Sequence, residues 1–174
     1  MAVVQRRPAP AVVAVELKSL DQVRHLMAES GLGGVPVDVA SVAALLGMHL
    51  QYEQMSEEMS GYLENRAGRW VIGVNSLHAG VRQRFTIAHE VAHYVLHRDQ
   101  QGSFRDVIFM RRSMNANAME KQADRFAAEL LMPESQVVSD IRGGLLNVHA
   151  LAARYNVSAL AMKYRLQNLG YAVS

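Results

Sequence analysis

His89, Glu90 and His93 stand in the order H-E-x-x-H, inside a stretch whose apolar residues recur at helical spacing. Residues four apart on an α-helix differ by about 40° in direction and ~6 Å in rise, so both imidazoles leave one face, a turn apart. Two ring nitrogens so placed can reach one metal ion at about 2.0–2.1 Å, the distance zinc prefers. Glu90 lies about 100° around the helix, where it is better placed to handle a proton beside the metal than to ligate it. The chemistry this spacing suggests is metal-assisted hydrolysis, with Glu90 placed to contact a metal-bound water.

A catalytic zinc takes three protein ligands and keeps one position open. His97 continues the spacing, but three histidines at successive i+4 positions span ~12 Å along a straight helix and cannot converge on one ion. The better third ligand is Glu120, which with Asp124 forms E-x-x-A-D four residues apart on the next helical stretch. His89, His93 and Glu120 are therefore expected to hold a single Zn²⁺. Asp124 is expected to accept the free ring N–H of a ligating histidine, which would fix its tautomer and orientation. Ala123 and Ala127 are small enough to let the two helices approach closely. His97 and His78 are read as ordinary hydrogen-bonded histidines with no direct role. A second electrophile for the oxyanion is expected, and Tyr62, Tyr94, His97 and Arg111 remain open for it.

The elements that must position these residues can be read from periodicity. A helix is expected from about Val15 to Glu29, with Leu20, Val23, Leu26 and Met27 on one stripe, and a second from the N-cap Asp38 to Gly47. Met48–Glu53, Met59–Glu64 and Trp70–Asn75 look like three short strands. The last is the expected edge on which a peptide could add as a strand. The motif helix covers Val81–Arg98, with Phe85, Ala88, Ala92, Val95 and Leu96 on its apolar flank. A polar stretch from Asp99 to Ala118, relieved by Val107–Met110, leads to the acid-bearing helix, Met119–Met132, which Pro133 stops. The tail, 147–170, reads as helix, turn, helix. Its Lys163 and Arg165 suggest a DNA-recognition helix, but the bases are sparse; the preferred reading is that Leu160, Leu166 and Leu169 pack on the core while the bases are solvated.

Half of the 174 residues are hydrophobic and a fifth charged, which suits one globular domain, and with no cysteine a metal site must use His, Asp and Glu. A charge of +2 is too small to mark a nucleic-acid binder. Arg6 and Arg7 precede an apolar run, but Pro10 interrupts it and Glu16 ends it, so neither export nor a membrane span is expected and the location is taken as cytoplasmic. The expected organisation is a lead-in at 1–14, a catalytic domain at 15–141, and a helix-turn-helix-like segment at 142–174 packed on it.

With RQRFTIAHEVAHYVLHR (82–98) and EKQADRFAAELLMP (120–133), and more weakly PVDVASVAALLG and WVIGVNS, the chain resembles the ImmA/IrrE family of metallopeptidases over most of 36–170. The resemblance implies an α+β, zincin-like fold of the gluzincin kind: a small three-stranded sheet, the motif helix, a second ligand helix and a helix-turn-helix-like tail. It implies zinc on His89, His93 and Glu120, with Glu90 as acid/base. Ala92 stands where relatives often have Gly, a small-for-small change. Some relatives carry a fused DNA-binding or sensor domain, for which this length is expected to leave no room. The family's usual substrate, a helix-turn-helix (Xre-type) transcriptional repressor of stress or mobile-element genes, is the expected partner. Direct nucleic-acid binding is not expected. The alternatives are a toxin or interaction partner of a repressor, or a DNA-binding module that retains the metal fold.

Overall fold

The computed structural model describes residues 16–107 and 114–173, and at 107 and 114–117 the backbone only. The lead-in at 1–14, the apolar residues 108–110 and Arg111 lie outside the described residues. The elements run α1 (Leu20–Glu29), α2 (Val39–Leu45), β1 (His49–Glu53), β2 (Met59–Arg66), β3 (Arg69–Asn75), α3 (Gly80–His97), β4 (Ser103–Val107), α4 (Met114–Leu131), α5 (Glu134–Arg142), α6 (Val148–Tyr155) and α7 (Ala159–Asn168).

The first helix begins at Leu20, five residues later than its apolar pattern suggests, because extended Ser19 caps it and accepts from Gln22 N–H. Asp38 caps α2 as expected, its carboxylate accepting from Ser41 N–H and Ser41 Oγ–H.

Among the described residues the sheet has four strands, not three, in the order β1-β3-β2-β4; β1 and β3 are parallel and the other pairs antiparallel. The added strand, β4, lies in the stretch read as polar. Within 103–106 only Phe104 and Asp106 are buried, so the sequence there carries no apolar run, and pairing with β2 is what makes it a strand. Strand β3 is not the edge its sequence suggests. It is held by β1 on one side and β2 on the other, so the edges belong to β1 and β4. Its continuous apolar run is the mark of a strand buried in a sheet's middle.

The motif helix α3 packs on β2 and β3 on one side and along α4 on the other. Close seating on the sheet depends on Gly61, where a Cβ would meet the Gly73 carbonyl oxygen and, at 2.6 Å, Thr86 Cγ2 of α3. On the opposite sheet face the ring of Tyr62 lies over Gly73, where a Cβ would run into it. The fully buried Asn75 ties the approach to α3: its side-chain amide donates to the carbonyls of Ser56 and Met59 at 3.0 and 2.9 Å and its Oδ1 accepts from Leu77 N–H.

The second ligand helix starts at Met114, five residues before the reading from apolar spacing. Pro133 ends that run and stands as N-cap of α5, a helix the pattern did not show, since Val137 alone in it is fully buried. The tail folds as read, α6 and α7 joined at left-handed Asn156 and capped by Asn147 and Ser158. Leu166 is buried as expected, but Leu160 is 60% exposed. The base Arg165, expected in solvent, is buried, and its Nε–H donates to the Met132 carbonyl. Among the described residues no helix is long and apolar enough to cross a membrane.

Candidate metal centre

The helices α3 and α4 meet across small residues, with Ala88 and Ala92 on one and Ala123 and Ala127 on the other all completely buried. This closeness carries Glu120 to the motif. Glu120 Oε2 lies 3.0 Å from His89 Nε2, Glu120 Oε1 3.1 Å from His93 Nε2, and the two Nε2 atoms are 3.1 Å apart. Both histidines are buried, while the Glu120 side chain keeps 17% of its surface open.

The fit of this donor set to a metal can be judged from its chemistry. Two imidazole nitrogens and a carboxylate face one another in one small volume, an arrangement that needs either a proton or a cation between them. For tetrahedral ligands at about 2.0–2.1 Å from zinc, neighbouring ligand atoms lie ~3.3 Å apart, close to the spacing found here. The residues present therefore fit a metal ion. Without one, burial pushes the His89 imidazole down, but Asp124 and Glu120 outweigh it and raise it to about 10. Burial pushes Glu120 up, and the two histidines overcome this and hold it well below the usual carboxylate range. His93 is lowered, chiefly by burial, with the charge of His89 adding to it and Glu120 opposing.

Behind the donor atoms each ring has a partner. His89 Nδ1 is 2.9 Å from Asp124 Oδ1, the contact expected for Asp124. His93 Nδ1 is 3.0 Å from His97 Nδ1, and His97 Nε2 is 2.8 Å from Gln122 Oε1. The Phe104 ring of β4 stacks on His93, centroids 4.5 Å apart and planes 18° off parallel. Glu90 is fully buried, and a carboxylate oxygen of Glu90 and of Asp106 and a ring nitrogen of His89 lie within 4.8 Å of one another.

Reading the sequence did not find Phe104, Asp106 or Gln122. The two β4 residues lie in a stretch that reads as polar and carry no motif, and Gln122 is hidden between the acids of E-x-x-A-D. His97 stays out of the donor set, yet it is not incidental. Of the oxyanion candidates, Tyr62, Tyr94 and His97 are turned to other partners, and Arg111 lies outside the described residues. Tyr62 is on the outer sheet face, bonded to Gln51 and Arg66. Tyr94 packs edge-on to Trp70 with Arg98 over its ring. The inner nitrogen of His97 is turned to the back of His93. His78 sits near Asn75 and the Glu57 carbonyl, away from the centre. A groove of about 960 Å³ starts beside the centre at Ser60, Arg82, Asp106 and Asp124 and runs past Phe85 to Leu160 and Tyr164 on α7.

Two imidazoles from one helix and a carboxylate from the next, with a buried acid beside the first imidazole, define the metal centre of H-E-x-x-H hydrolases. The family model described as the IrrE N-terminal-like domain, a peptidase family, matches residues 43–167. The chain belongs to that family. Its fold is similar to the solved structure of a Mycobacterium tuberculosis transcriptional regulator, with a TM-score of 0.58 and 18% identity over 85% of this chain and 46% of that one. The chain thus spans less than half of that protein's length. No curated protein matches the sequence.

Proposed function

We propose that this chain is a zinc-dependent endopeptidase that cuts a helix-turn-helix transcriptional repressor in the cytoplasm and so releases the genes it silences. The observation that carries the reading is the convergence of His89, His93 and Glu120 at about 3 Å beside buried Glu90, in a chain of a peptidase family. Zinc held by these three residues supplies a Lewis acid for the scissile carbonyl and lowers the pKa of water at the site towards 7. Glu90 takes the proton of the attacking water on its carboxylate and delivers one to the leaving amine. Asp124 accepts from His89 Nδ1–H, which leaves Nε2 turned to the centre. Burial of both rings, with Phe104 stacked on His93, keeps bulk water from competing for these contacts.

The substrate strand lies along the edge strand β4, which carries Phe104 and Asp106 next to the centre, in place of the central β3. A repressor as substrate is supported by the family resemblance, and by a structural neighbour that is itself a transcriptional regulator.

The test is to incubate the full chain with the helix-turn-helix repressor encoded nearby, with and without a chelator, and to follow fragments over time. Wild type should cut only with zinc. Glu90→Gln, which keeps size and helix propensity, should retain zinc and cut ~10²-fold more slowly or worse, the usual scale of general acid–base catalysis. Equal rates for the two proteins with zinc bound would remove Glu90 from its role. Stable binding of the repressor with no cutting by either would favour an interaction partner over an enzyme.

A further inference from the structure

We infer that His97 and Gln122 are positioning residues that fix the tautomer and orientation of His93, so that its Nε2 faces the centre as an unprotonated lone pair. The inference rests on the metal-centre reading above and assigns a task to two residues outside the donor set.

Only one proton fits between His93 Nδ1 and His97 Nδ1, which are 3.0 Å apart. Its owner is decided at the far side of His97. There Nε2 lies 2.8 Å from Gln122 Oε1, an atom that only accepts, so His97 carries its proton on Nε2 and donates it to the amide oxygen. A neutral imidazole has one donor and one acceptor, which leaves His97 Nδ1 as an acceptor. The shared proton then sits on His93 Nδ1, and His93 Nε2 is bare where it faces Glu120 and His89. The ring is also held mechanically. Phe104 stacks on one face of it, and His97 is itself 2% exposed, so neither imidazole has room to turn over.

The two donor imidazoles are thus set by different means. His89 has a carboxylate behind it, and His93 has a neutral imidazole and an amide in series. The helix period explains the choice of residue. One turn beyond His93 is too far to reach the metal but right for reaching the back of its ring.

Gln122 is exposed, so its replacement leaves the packed core alone, whereas His97 is a core side chain. Full-length wild type, His97→Phe, Gln122→Leu and Gln122→Glu should be titrated with zinc against a competing chelator. His97→Phe keeps a ring of similar size without an acceptor, and its zinc affinity should fall ~10–100-fold, as when other partners of ligating histidines are lost. Gln122→Leu should weaken zinc several-fold without changing the melting temperature, and Gln122→Glu, which can only accept, should stay near wild type. Nitrogen-15 spectra of the zinc-loaded protein should show His97 protonated on Nε2 alone and His93 on Nδ1 alone.

A His97 ring protonated on Nδ1, or a Gln122→Glu variant that loses zinc while Gln122→Leu keeps it, would overturn the inference. So would wild-type affinity in both His97→Phe and Gln122→Leu. If His97→Phe does not fold, the two Gln122 variants and the spectra still decide. A wild-type chain that binds no zinc sinks the metal-centre reading and the relay with it; zinc bound by wild type and by every variant alike sinks the relay alone.

Discussion

The α3–α4 pair and the α6–α7 pair are both helix pairs that turn polar side chains inward, and they use them in opposite ways. In α3–α4 the polar atoms converge. His89, His93 and Glu120 face one point, and the far sides of the two rings are satisfied by Asp124, His97 and Gln122. In the tail pair the polar groups disperse: Arg165 serves the Met132 carbonyl, Arg154 and Tyr155 both serve Asp140, and Arg84 reaches from α3 to the Asn156 carbonyl. Convergent polar groups have partners that cancel only if a further charge joins them, which is the signature of a binding centre. Dispersed groups each find a complete local partner, which is the signature of a packing element. Of the two bases on the second helix, Arg165 is already used within the fold.

The comparison breaks most visibly at the donor atoms. Wild type should purify with close to one zinc, whereas His89→Ala, His93→Ala and Glu120→Ala should each reduce metal content to near zero by elemental analysis. If Glu120→Ala keeps its zinc, α4 is not part of the centre and the contrast collapses. Next in size is a loss in the tail. Leu166→Ala, at a position 4% exposed, should cost about 2–5 kcal/mol in a denaturant titration while leaving zinc affinity unchanged. A Leu166→Ala protein that melts normally but loses metal would mean that the tail serves the centre and not the core.

Smaller again is Asp124→Ala, expected to weaken zinc ~10–100-fold with the site still formed. Chelator competition showing wild-type affinity would leave His89 with no need of its carboxylate.

The finest test is Asp140. Burial pushes its carboxyl up, but the Arg154 guanidinium and the Tyr155 hydroxyl prevail and hold it below its ordinary value. A depressed folded pKa stabilises above the unfolded value, about 3.9, and that stability is lost as pH falls through the folded value. Asp140→Asn should therefore lower stability by ~1 kcal/mol near neutral pH. Thermal melts of the two proteins should draw together below about pH 4. A gap between them that widens on acidification would show the sign to be wrong.

What the sequence determined alone is what lies within one turn or one element. The spacing of His89 and His93, the displacement of Glu90 around the helix, the cap at Asp38 and the helix-turn-helix outline all follow from the period of an α-helix and the chemistry of its ends. The pairing of Glu120 with the motif was legible too, because E-x-x-A-D and its alanines imply a helix that approaches closely. The tertiary structure decided whatever depends on contacts between elements distant in the chain. Ser103–Val107 becomes a strand only because β2 offers its edge, and β3 is central only because β1 and β2 flank it. Arg165 turns inward because the Met132 carbonyl needs a donor, and His97 gains its task because Gln122 arrives from another helix. A buried polar group takes whichever partner the packing brings within ~3 Å, and no local pattern records where that partner comes from.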